Sequence, residues 1–158
     1  MSNVSITATL AMTLAAMTPA DRERAEYVIL ANSIAAVESG MNYEAIGDGG
    51  KAVGAWQMHV AAWITANQWR KAQGLETIRR TDWKNKENQR AMAVAYLCWC
   101  KEQLRKAGIK EPTIEQVYIA YGWGFGNYKD SGFNMDLAPA HKRDAAERVA
   151  NIYKELTK

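Results

Sequence analysis

Residues 34–58, IAAVESGMNYEAIGDGGKAVGAWQM, decide how the rest of the chain is read. They set one carboxylate, Glu38, at the end of an apolar helical run, and a glycine-punctuated segment then leads to Gln57. Upstream, Val28, Ile29, Ile34 and Val37 recur at helical spacing and mark a buried face. Thr18-Pro19-Ala20-Asp21 is a start signal, with a capping threonine, a proline in the first turn and an acid behind it. Gly40 is a stop signal, so a helix is expected over 19–39 with Glu38 on its last turn. The partial negative charge of a helix C-terminus and partial burial both favour a neutral carboxyl there, the form a general acid needs. Glutamates near helix ends are also common as solvated, inert residues. Position alone does not separate the two readings.

Downstream, residues 42–58 read as a small hairpin or looped β-lobe, with the turn at Gly47-Asp48-Gly49-Gly50. Residues 59–73 read as a helix with Val60, Ala61, Trp63 and Ile64 on its apolar side, followed by a connector over 74–80. Thr81 or Asp82 is placed to cap the longest helix, which ends at Gly108. Thr113 caps a short helix carrying Ile114, Val117, Tyr118 and Tyr121. Residues 122–128, GWGFGNY, alternate glycines with aromatic residues, which predicts a loop of close backbone approach with aromatic walls rather than a helix. After Pro139 an amphipathic final helix turns Ala146, Val149, Ile152, Tyr153 and Leu156 inward. The N-terminal stretch has no charge before Asp21 and no Lys/Arg start, and four threonines interrupt its apolar run. Ile6, Leu10, Leu14 and Met17 recur at helical spacing, so a helical extension over 1–17, packed on the domain, is the preferred reading over a leader.

At 158 residues the chain fits one domain with one core and one cleft. Twenty basic against 17 acidic residues give a net charge of +3. Its basic residues alternate with acids, as on solvated helix faces, which argues against a nucleic-acid-binding protein. Six tryptophans and seven tyrosines against two phenylalanines favour amphipathic rings, useful for lining a wet groove. Cys98 and Cys100, two apart on a helix, do not face each other and read as reduced core or boundary residues. His59 and His141 stand far apart and read as surface or packing residues. No metal spacing is present, and nothing calls for a cofactor.

Three motifs in order resemble the lysozyme-like superfamily, and within it the soluble lytic transglycosylase type of domain. Glu38-Ser39 at a helix end is similar to the family's catalytic Glu-Ser pair. Gly54-Ala55-Trp56-Gln57-Met58 is similar to its Gly-Leu-Met-Gln element, and Ala120-Tyr121-Gly122 to its Ala-Tyr-Asn. The closing AAERVANIY resembles the family's final helix, so the likeness spans residues 34–153 of a single domain over 1–158. There are departures. Gly122 stands where the family has asparagine, so that polar contact is missing or passes to Asn127. Trp56 replaces an aliphatic residue, and the N-terminal extension has no counterpart.

The resemblance implies a mainly α, α+β lysozyme-like fold, a helical domain with a small β-hairpin lobe flanking the active-site cleft. It also implies cleavage of the β-1,4 bond between N-acetylmuramic acid and N-acetylglucosamine in peptidoglycan, with Glu38 as acid and then base. Ser39, Gln57 and Tyr121 are candidates to contact Glu38 or substrate, and Trp56, Trp123, Phe125 and Tyr128 to stack on sugar faces. Asp48 is the acid on the hairpin. It reads as a turn-former, with a second carboxylate for a lysozyme-type muramidase as the alternative. Glu44 reads as solvated. A non-catalytic glycan-binding or virion module is the competing class. The expected partner is the glycan strand, with a monomer, no nucleic acid and no stable membrane insertion. A phage protein released at lysis or carried in the virion would reconcile reduced cysteines with a substrate outside the cytosol.

Overall fold

A computed structural model describes residues 16–158 of the chain. The expected N-terminal helix falls almost wholly outside the described residues. Helix α1 (Pro19–Ser39) starts and ends where its signals stand. The Thr18 hydroxyl accepts from the Asp21 N–H at 3.2 Å and donates to the Asp21 carboxylate at 2.7 Å. At the other end Gly40 is left-handed (φ 63°, ψ 35°), and the N–H groups of Gly40 and Met41 bond the carbonyls of Ala36 and Ala35. Ile29, Leu30, Ile34 and Ala35 are buried, whereas Val28, expected on the same face, is substantially exposed.

The hairpin lobe follows at once. Strand β1 (Ile46–Gly47) pairs antiparallel with β2 (Ala52–Val53), in the register Ile46 to Val53 and Gly47 to Ala52, around a 3₁₀ turn at Asp48–Gly50. So short a sheet would not stand alone in water. Four side chains tie it to the helices. Trp56 Nε1 donates to the Ala31 carbonyl at 2.7 Å, and Tyr121 Oη donates to the Trp56 carbonyl at 2.7 Å. Ser39 Oγ donates to the Ala55 carbonyl at 2.8 Å. The buried Gln89 accepts from the Ala55 N–H at 2.9 Å and donates to the Tyr43 carbonyl at 2.8 Å.

Helix α2 (Val60–Ala72) packs along α3 (Lys86–Lys106). Trp63 and Ala66 form its buried stripe, while Val60 and Ile64, expected to point inward, are exposed; the helix is rotated so that Trp63 reaches the Ile78 carbonyl at 2.7 Å. The cap of α3 is Asn85, whose side chain accepts from the Asn88 N–H at 2.9 Å; Thr81 and Asp82 belong instead to a separate 3₁₀ turn. Helix α4 (Ile114–Ile119) opens on a full capping box between Thr113 and Gln116. Cys100 is buried and Cys98 half-buried, both as free thiols, and burial pushes the Cys98 thiol up to about 12.

Residues 122–128 depart from the expectation of a loop. A π-helical turn (Ala120–Gly124) continues α4 into α5 (Phe125–Asp130). Helical geometry breaks at Gly124 (φ 97°, ψ 137°), a conformation that glycine alone adopts without strain. Each glycine costs roughly 1 kcal/mol of helix propensity. That cost is outweighed because Tyr121 and Tyr128, on either side of the break, are both buried. Helix α6 (Ala140–Leu156) closes the fold, packed on α1 and α4 through Ala146 and Val149; Leu156, expected inward, lies at an exposed end.

Candidate active site

A cleft of about 580 Å³ runs between the end of α1, the hairpin, the start of α2, the π turn and the first turn of α6. Glu38, Asp48, Gln57, His59, Trp123 and Lys142 are among its lining side chains. An apolar groove of about 500 Å³ between α1, α2 and α3 shares no residue with it.

Glu38 reaches the cleft from the last turn of α1 with its side chain only 15 % exposed. Tyr118 Oη, from α4, donates to Glu38 Oε1 at 2.5 Å, and Lys142 Nζ, from α6, lies 3.9 Å from the same oxygen. Burial, and next the Glu38 charge, hold the Tyr118 phenol far above the ordinary tyrosine range, so it remains a donor. Sequence reasoning gave Tyr118 no role at the site. It was visible as a tyrosine one helical turn before Tyr121, but an apolar-face tyrosine looks like core.

The other carboxylate is held differently. Asp48 sits on the hairpin turn, 67 % exposed, and its Oδ2 lies 2.7 Å from His59 Nε2. His59, read from sequence as an ordinary surface or packing residue, stands at the start of α2 and lines the cleft beside it. Gln57 also faces the cleft. Its Nε2 donates to the Gly54 carbonyl at 2.9 Å, and a Cβ at position 47 would collide with its Oε1, so Gly47 leaves room for the carboxamide.

The remaining candidates separate cleanly. Trp123 and Tyr121 line the cleft, but the Tyr121 hydroxyl is spent on the Trp56 carbonyl rather than on Glu38. Trp56 is a core residue, buried with its indole N–H satisfied, and offers no face to a sugar. Phe125 packs against Trp99 and Phe133, and Tyr128 is wholly buried. Asn127 is exposed and donates to the Trp123 carbonyl at 2.8 Å, so it does not take over the missing asparagine's place in the cleft. Ser39 fastens helix to hairpin through Ala55 instead of lining the groove. Among the described residues no group of three or more His, Cys, Asp or Glu side chains is placed to hold a metal ion.

A mainly helical domain with a two-stranded lobe and a sheltered glutamate beside a polar cleft is a lysozyme-like glycosidase architecture. Comparison with family models is more specific: residues 17–143 match the transglycosylase SLT domain. The chain belongs to that family, and is therefore a peptidoglycan-cleaving enzyme of the lytic transglycosylase type. Neither the curated proteins nor the solved structures yield a match. Among the described residues no helix is long and apolar enough to cross a membrane.

Proposed function

We propose that the chain cleaves the β-1,4 bond between N-acetylmuramic acid and N-acetylglucosamine with Glu38 as its one acid–base group. Glu38 protonates the departing glycosidic oxygen as positive charge builds on the muramoyl ring. The substrate's N-acetyl oxygen stabilises that ring. Glu38 then takes the proton of the 6-hydroxyl as O6 closes on C1, leaving a 1,6-anhydro sugar. Gln57 offers a carboxamide to an N-acetyl group, and Trp123 a ring to a sugar face.

The observation that carries this reading is the contrast in shelter: 15 % exposure for Glu38 against 67 % for Asp48 in one cleft. A sheltered carboxyl gripped by a buried phenol is held in place to act on a leaving group. An exposed one paired with a histidine is poorly insulated from solvent. One feature favours the second reading, a muramidase that hydrolyses the same bond: Asp48 and His59 both line the cleft, where a base for water would stand. Mass spectrometry of the soluble muropeptides distinguishes the two. Anhydro ends are expected; reducing ends throughout would establish hydrolysis, and their loss in Asp48→Asn would then place the base at Asp48. Wild type that clears no purified cell walls would sink both.

A further inference from the structure

We propose that Tyr118 is a positioning residue that pins Glu38 by its Oε1, and that position 122 is glycine in order to admit the Tyr118 ring. The inference rests on Glu38 being the acid. Tyr118 is almost wholly buried and its hydroxyl ends on Oε1 at 2.5 Å. A Cβ built on Gly122 would stand 3.0 Å from Cζ and 3.1 Å from Oη of that phenol. Both distances are tighter than side chains ordinarily tolerate, and Tyr118 is too enclosed to swing away. Any side chain at 122, the family's asparagine included, would therefore force the ring to give by a few tenths of an ångström and draw the hydroxyl away from its close approach to the carboxylate. The polar group lost at position 122 is replaced from one helical turn earlier, by the phenol.

The pinning has a direction. Tyr118 and Lys142 approach the same oxygen, so the proton passed to the glycosidic bond is carried on Oε2. A carboxyl fixed at one oxygen has lost its χ3 freedom before substrate arrives, which lowers the entropic cost of reaching an in-line geometry. The phenol does not compete for the proton, because burial keeps it neutral. Tyr121 cannot substitute for it, since its own hydroxyl is committed to the Trp56 carbonyl.

The test is a kinetic double-mutant cycle on soluble, purified glycan strands, with thermal melting of every variant. Tyr118→Phe is expected to lower kcat on the order of tenfold or more, the loss of one hydrogen bond to a charged group, with KM changed less than about twofold. Gly122→Ala is expected to give a kcat loss of the same kind by displacing the phenol. In the double variant the two losses should not multiply, because a ring without a hydroxyl has no bond left to lose. Fully multiplicative losses, a rise in KM as large as the fall in kcat, or wild-type kcat in Tyr118→Phe would each overturn the proposal. If Tyr118→Phe does not fold, the split between kcat and KM in Gly122→Ala decides alone. Glu38→Gln run in parallel keeps the two claims apart. An inactive Glu38→Gln beside a normal Tyr118→Phe refutes only the pinning, whereas an active Glu38→Gln refutes the role of Glu38 itself.

Discussion

Glu38 and Asp48 face one cleft from two different supports. Glu38 stands on a 21-residue helix whose end is fixed by a left-handed glycine, and its carboxyl meets a buried phenol. Asp48 stands on a three-residue turn in which Asp48, Gly49 and Gly50 all have positive φ, and its carboxylate meets a histidine that is itself 47 % exposed. An exposed ion pair contributes between nothing and about 1 kcal/mol, since water screens it and two side chains must be ordered to form it. A hydrogen bond to a charged group among packed neighbours contributes about 1.5–3 kcal/mol. Shared location in a cleft is therefore a poor guide to role. The support behind each carboxylate, not its access to substrate, distinguishes them.

That comparison can be broken most directly at Glu38. We predict that Glu38→Gln lowers the rate of clearing of purified cell walls by about 10²–10⁴-fold, the usual contribution of a general acid–base group. Its melting temperature should stay close to wild type; near-normal clearing would show that the sheltered carboxylate is not the acid. Next comes the support itself. Trp56→Ala should cost about 3–5 kcal/mol in urea unfolding, as a buried aromatic that also loses its bond to Ala31. Trp123→Ala, on the cleft wall, should change stability by less than about 1 kcal/mol and act on KM instead. Equal effects of the two would mean that the core and cleft assignments of these tryptophans are wrong.

A smaller effect is expected from Gln89→Ala. It strips the Ala55 N–H and the Tyr43 carbonyl of their partner and should cost about 1–3 kcal/mol, with faster hydrogen exchange at the Ala55 amide. Unchanged exchange there would show that the hairpin lobe is held without it. Asp48→Asn should do least, changing clearing by less than about threefold and stability by less than about 1 kcal/mol, with anhydro ends retained. A loss above tenfold, or a switch in the ends produced, would turn the comparison round and make Asp48 a participant.

What was readable in advance follows from how far each cause lies along the chain. The bounds of α1 come from Thr18, Pro19 and Gly40, all within a turn of the ends they set. The hairpin turn comes from glycines beside Asp48. Tyr118 could not be found that way, because its partner is 80 residues distant. Gln89 acts across 34 and 46 residues, and on a helix surface a glutamine carries no mark of burial. Residues 122–128 misled for the opposite reason. Their local preference is plainly against a helix, yet Tyr121 and Tyr128 bury on either side of Gly124 and impose one.

The amino-acid order by itself determined the principal helices, the hairpin and the Glu38 position, since caps, glycine turns and apolar spacing act between neighbours. It also carried the motifs by which the chain is placed in its family. Only the tertiary structure decided which oxygen of Glu38 is held, which tryptophan is core and which is wall, and how closely Gly122 meets the Tyr118 ring. Those depend on packing between segments far apart in the chain, where a few tenths of an ångström separate a hydrogen bond from a collision.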